Sequence, residues 1–149
     1  MRALSRRAAL ALGVGTAAAW AGAGSALATP SEADEAIATF TSGKAPEPGR
    51  IAIDLPEIAE NGTAVPLAVT VESPMTAADR VTDVLVVADG NPNPRVAAFH
   101  FTPMSGRADI ATRIRLNATE NVIVVARVSD GRFLTARKEV KVTIGGCGG

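Results

Sequence analysis

Asn121-Val122-Ile123-Val124-Val125-Ala126-Arg127-Val128-Ser129-Asp130-Gly131-Arg132-Phe133-Leu134-Thr135-Ala136-Arg137-Lys138-Glu139-Val140-Lys141-Val142-Thr143-Ile144 consists of two runs rich in β-branched and apolar residues, joined by Asp-Gly. Asp-Gly accepts the positive φ angles of a tight hairpin, so the stretch predicts two antiparallel strands, Asn121 to Ser129 and Arg132 to Ile144. Upstream, the same pattern predicts strands Ile51 to Leu55, Ala64 to Glu72, Val81 to Ala88, Arg95 to Phe101 and Ala108 to Leu116. Their separators are turn formers: Glu60-Asn61-Gly62, Ser73-Pro74-Met75, Gly90-Asn91-Pro92-Asn93-Pro94 and Ser105-Gly106. Seven short strands punctuated in this way predict a mainly β chain, folded as an immunoglobulin-like antiparallel sandwich.

The strands differ in how many faces are apolar. Ile110, Thr112, Ile114 and Leu116 alternate with Ala111, Arg113, Arg115 and Asn117, as expected when one face meets water. Val84-Leu85-Val86-Val87-Ala88 and Val122-Ile123-Val124-Val125-Ala126 are apolar on both sides of the pleat. Their second face needs a cover, either a partner subunit or the chain's own N-terminal helix and linker, and the pattern favours the partner.

That helix is predicted over Ser31 to Phe40, with Ser31 as N-cap, Asp34 three residues on, and Ala33, Ala36, Ile37 and Phe40 on one face; Gly43 stops it. Ala45-Pro46-Glu47-Pro48-Gly49 follows as a stiff linker. Ahead of the helix, Arg2, Arg6 and Arg7 precede an apolar run from Ala8 to Ala23 and the small residues Ala26-Leu27-Ala28, the layout of an export signal cleaved after Ala28. Ser5-Arg6-Arg7-Ala8-Ala9-Leu10 has the look of a twin-arginine leader. The Ala- and Gly-rich run falls short of a strongly hydrophobic span, so a retained anchor is the lesser reading. The chain then divides into 1–28 leader, 29–49 helix and linker, 50–144 sandwich and 145–149 arm.

The 149-residue sequence has 15 basic and 15 acidic residues, but loss of Arg2, Arg6 and Arg7 with the leader leaves 12 against 15, a net charge of −3. A mildly acidic surface argues against nucleic acid. So does the lack of Tyr and the placement of the one Trp, Trp20, in the leader, since single-stranded binders stack bases on aromatic faces.

The last five residues, Gly145-Gly146-Cys147-Gly148-Gly149, hold the one cysteine of the sequence. Glycine lacks a Cβ and roams through φ and ψ, so the pentapeptide reads as a flexible arm. Extended chain from Gly145 to Cys147 gives the sulfur a reach of about 10 Å plus its side chain. In an exported protein a single cysteine has no internal disulfide mate, and its glycine neighbours argue against burial. Nothing beside it generates a thiolate: Lys138 and Lys141 lie down the strand, and the Gly149 carboxylate opposes one. No metal site of ordinary spacing can be assembled from one Cys and one His, which leaves Asp and Glu as the remaining ligands for a hard cation.

Three other features have bland explanations that outweigh sharper ones. His100, the one imidazole, is read as structural or solvated; catalysis would need the arm to fold back onto it. Asn91-Pro92-Asn93-Pro94 is read as turn chemistry rather than a binding loop. Met75 and Met104 are read as plugs at core edges rather than thioether ligands.

The strand Val140-Lys141-Val142-Thr143-Ile144 running into GGCGG resembles the end of SoxY, the sulfur-carrier family of bacterial sulfur oxidation. Leu55-Pro56-Glu57-Ile58-Ala59-Glu60-Asn61-Gly62, Val65-Pro66-Leu67, Ser73-Pro74-Met75, Gly90-Asn91-Pro92-Asn93-Pro94, and Phe99-His100-Phe101-Thr102-Pro103 through Ser105-Gly106-Arg107 are similar to that family in order and spacing. The resemblance implies a periplasmic, non-catalytic carrier that holds thiosulfate-derived sulfur covalently on Cys147, with Gly145, Gly146, Gly148 and Gly149 giving the arm its freedom. It implies no cofactor beyond those sulfur adducts and no metal. It also implies a heterodimer with a SoxZ-like sandwich subunit. Further implied partners are a c-type cytochrome that loads thiosulfate, a metal-dependent hydrolase that releases sulfate, and a sulfane dehydrogenase for the remaining sulfur. A second class stays open beside it: a sandwich interaction module whose terminal cysteine senses redox state or forms a disulfide with a partner.

Overall fold

The computed structural model describes residues 31–143, so the expected leader at 1–28 and the arm carrying Cys147 lie outside the described residues. The chain enters through α1 (Glu32–Thr41). Ser31 starts it with a reciprocal cap: its hydroxyl accepts the Asp34 N–H at 3.2 Å, and the Asp34 carboxylate accepts the Ser31 N–H at 3.3 Å. The helix ends where Ser42 and Gly43 both turn left-handed, with φ of 54° and 78°.

Nine strands follow among the described residues: β1 (Glu47–Pro48), β2 (Ile51–Asp54), β3 (Ile58–Ala59), β4 (Val65–Val71), β5 (Val81–Ala88), β6 (Arg95–His100), β7 (Ala108–Ile114), β8 (Glu120–Val128) and β9 (Phe133–Val142). One sheet runs β1-β9-β8-β5-β6 with β3 also on β9, and β2-β4-β7 form the other. The seven predicted strands are all present. The Asp130-Gly131 hairpin pairs β8 with β9 antiparallel from Arg127↔Phe133 to Glu120↔Val140.

Two short strands depart from the purely antiparallel expectation. β1 and β3 lie parallel to β9, with Glu47↔Leu134 and Pro48↔Thr135 at one end and Ile58↔Lys141 and Ala59↔Val142 at the other. Part of the predicted linker is therefore an edge strand, a place that tolerates Pro48 because it needs no full ladder. Between the two, the Lys138 Nζ donates to the Leu55 carbonyl at 2.7 Å. Together they cover the outer edge of β9, which would otherwise be open to pairing with another chain.

Val65, Leu67, Val69 and Val71 alternate inward from β4 and meet Val84, Val86, Val122, Val124 and Val140, all five of them fully buried. Each such side chain contributes roughly 1.5–3 kcal/mol on leaving water. The outward face of β5 and β8 is covered as well, and not by a partner. Ala33, Ile37 and Phe40 of α1 pack on Leu85, Val87, Ile123 and Val125, together with Phe133. An apolar patch only two strands wide is narrow enough for one ten-residue helix to close. The partner expected at this face is thus replaced by the chain's own helix, and residues 31–48 belong to the same body as the sandwich.

Candidate functional site

β9 carries the chain toward Gly145, and the way its last residues are held defines the base of the arm. Val140 is fully buried, and Val142 packs against the same core. Successive N–H groups of a strand point to opposite sides. Those of Lys141 and Thr143 turn toward β3 and meet the carbonyls of Glu57 at 2.9 Å and Ala59 at 3.1 Å. The Thr143 hydroxyl adds a bond to the Glu60 carbonyl at 3.1 Å. The Val142 N–H turns the other way, past the last β8–β9 pair, Glu120↔Val140. There the Thr119 hydroxyl accepts it at 3.0 Å, so no N–H from Lys141 to Thr143 is left open.

The turn that supplies Thr119 is itself pinned. Glu120 is 4% exposed, and its two carboxylate oxygens accept the Gly90 N–H at 2.7 Å and the Asn117 N–H at 2.9 Å. A Cβ on Gly90 would lie 2.9 Å from the Glu120 Cβ, so glycine is required there by space. Asn91 donates to the Arg115 carbonyl at 2.8 Å and accepts the Asn117 N–H at 3.0 Å. Asp89 accepts from the Asn121 backbone at 2.8 Å and from its side chain at 2.9 Å. The Asn91-Pro92-Asn93-Pro94 loop is therefore part of the scaffold at the arm's end of the sandwich, in line with its bland reading. Neither Thr119 nor Glu120 stood out in the sequence.

Beside the root, Glu57, Ile58, Lys138, Glu139 and Lys141 line an open groove of ≈320 Å³. Ile58 is 57% exposed there. Of the two lysines nearest the arm, Lys138 is engaged by Leu55, and Lys141 lines the groove.

His100 is held at the far end of the sheet. It pairs with Asp83, Asp83 with Arg127, and Arg127 with Phe133, so it shares a row with the first residue of β9 rather than the last. The nine steps from Phe133 to Val142 span about 30 Å, and the three strand spacings add about 14 Å sideways. Extended chain from Thr143 to Cys147 covers only about 14 Å. His100 is thus out of reach as a base for that thiol. Its Nδ1 instead bonds Asp83 at the exposed edge of the sheet. Burial works against the Asp83 charge, but the Thr82 hydroxyl, His100 and Arg127 outweigh it and hold the carboxyl below its ordinary value of 3.8.

Met75 is 5% exposed and fills the main core as expected, whereas Met104 stands 95% exposed on the turn after β6 and plugs nothing. Among the described residues, no His, Cys, Asp and Glu cluster could hold a metal ion. No helix among them is long and apolar enough to cross a membrane.

Comparison with known proteins returns one family, described as sulfur oxidation protein SoxY, matching residues 37–147. No curated protein matches the chain by sequence. Among solved structures, the sulfur carrier protein SoxY from Chlorobium limicola f. thiosulfatophilum is 36% identical with a TM-score of 0.62, over 74% of this chain and 96% of that one. A superoxide reductase (neelaredoxin) from Ignicoccus hospitalis is similar at 19% identity and a TM-score of 0.57, over 63% of this chain and 80% of its own. A putative superoxide reductase from Thermotoga maritima gives 19% and 0.54, over 69% and 89%. These two share the fold alone. The family match spans well over half of the sequence, and it includes the pentapeptide up to Cys147; this chain belongs to the SoxY family of sulfur oxidation proteins.

Proposed function

We propose that this chain is an exported, non-catalytic sulfur carrier, which takes thiosulfate-derived sulfur covalently on Cys147 and presents it to separate enzymes during oxidation to sulfate. The observation that carries this reading is the Gly-Gly-Cys-Gly-Gly sequence, separated by two residues from a strand end where the N–H groups from Lys141 to Thr143 are all engaged. One thiol that must enter several active sites needs a stiff base and a slim tip, and residues without a Cβ pass where any side chain would clash. The description of the Chlorobium relative as a sulfur carrier supports the same role.

In the loading step the Cys147 sulfur joins the outer sulfur of thiosulfate. An S–S bond forms, the thiol proton leaves, and a pair of electrons passes to a c-type cytochrome. In the release step, water oxygen adds to the terminal sulfonate sulfur in a metal-dependent hydrolase. Sulfate leaves, and the electron pair of the broken S–S bond stays on a Cys147 persulfide, the substrate for a sulfane dehydrogenase. Accessible thiols and persulfides support such reversible steps on the lower rungs of sulfur oxidation. The carrier works in the periplasm after twin-arginine export, as a heterodimer with a SoxZ-like subunit. That subunit docks away from the outer face of β5 and β8, which α1 occupies.

Incubation with radiolabelled thiosulfate and the loading cytochrome tests the reading. Label is expected on the wild-type chain and absent from Cys147→Ser; equal labelling of both contradicts it.

A further inference from the structure

The β8–β9 ladder has its last backbone pair at Glu120↔Val140, and β8 begins there from a turn. A strand that ran on alone would leave the Val142 N–H without a carbonyl to meet. Thr119 replaces that missing carbonyl with its hydroxyl, at 3.0 Å. On the opposite side β3 takes Lys141 and Thr143 through backbone carbonyls. The strand end is thereby gripped from both edges, and one of the two grips is a single side chain.

We propose that Thr119 is a positioning residue for the arm: its hydroxyl extends the ladder by one bond and sets where, and in which direction, the chain leaves the sandwich. Glu120 holds Thr119 in place. Its carboxylate ties the turn at Asn117 to the loop at Gly90, while Asn91 ties that loop back to Arg115 and Asn117. The consequence for transfer rests on the carrier reading. Without the Thr119 bond only β3 holds the strand end, the thiol loses part of its aim, and every partner enzyme must then order additional chain when the arm enters its site.

The test compares the wild-type chain with Thr119→Val, which keeps the shape and loses the acceptor, and Thr119→Ser, which restores an acceptor. Hydrogen exchange at the Val142 amide is expected to rise about tenfold in Thr119→Val, with Val140 unchanged, and to recover in Thr119→Ser. Loading of Cys147 from thiosulfate by the cytochrome is expected to slow several-fold through KM in Thr119→Val at an unchanged melting temperature, and to recover in Thr119→Ser. Unchanged Val142 exchange, or raised exchange with unchanged loading, overturns the proposal. Failure of the wild-type chain to load at all overturns the carrier reading instead, while Val142 exchange still reports on the grip.

Discussion

The Arg127 guanidinium lies 5.2 Å from the centre of the Phe40 ring, and the same side chain donates to the Phe40 carbonyl at 3.0 Å. Phe133 sits below the pair, 5.9 Å from Phe40 in an edge-on contact and 5.4 Å from Arg127. The helix is fastened at this one corner by stacking, charge and a hydrogen bond together. Phe40→Ala is expected to cost about 2 kcal/mol, below the roughly 3–5 kcal/mol of a fully buried phenyl ring because the site is half open. Deleting residues 31–43 is expected to expose Leu85, Val87, Ile123 and Val125 and make the chain associate. Denaturant titration and light scattering check both; a helix-free chain that stays monomeric at full stability contradicts the packing account.

Arg127 also faces Asp83 at 3.6 Å. The lowered carboxyl of Asp83 means that its folded form favours the charge, so its stability contribution is present above the ordinary value of 3.8 and is lost as pH falls through the lower folded value. Asp83→Asn is expected to be less stable than wild type at neutral pH and to close that gap in acid. Thermal melts of both, from neutral pH down through the carboxylate range, decide it. A constant difference across the range contradicts the assignment.

Gly90→Ala is expected to destabilise by about 1–3 kcal/mol, because the new methyl would meet the Glu120 Cβ near the backbone, where it cannot swing aside. Glu120→Gln is expected to cost a similar amount, about 1–3 kcal/mol, since one of its two N–H partners would then face an NH2 group. Equilibrium unfolding measures both, and wild-type midpoints would show that the loop is not part of the scaffold.

Much of the fold is legible in the amino-acid sequence, for physical reasons. The seven longer strands announce themselves as runs of β-branched and apolar residues set off by turn formers, and the Asp130-Gly131 hairpin through its need for positive φ. Glu47–Pro48 and Ile58–Ala59 do not, because a two-residue parallel pairing has no period to detect. The double-faced Leu85, Val87, Ile123 and Val125 correctly signalled a second cover. The sequence pattern favours a partner as that cover, whereas Ala33, Ile37 and Phe40 of α1 supply it, because the patch is narrow enough for one short helix. At the site, Cys147 was conspicuous among its glycines. Thr119 and Glu120 were not, since a loop hydroxyl and a lone carboxylate acquire meaning only once the register places them beside Val142 and Gly90.

Gly146→Val and Gly148→Val are expected to leave the melting temperature unchanged and to cut turnover by the partner enzymes at least about tenfold. A branched side chain next to Cys147 both restricts the backbone and widens the tip. Steady-state assays with the loading cytochrome and the sulfate-releasing hydrolase measure this, and normal turnover in both variants contradicts the slim-tip argument.

Mass spectrometry of the protein isolated from cells growing on thiosulfate reads out whether sulfur is carried on Cys147. Mass increments of thiosulfonate and persulfide sulfur are expected on the peptide that holds Cys147. A bare thiol, or a disulfide to another protein and nothing else, would contradict it.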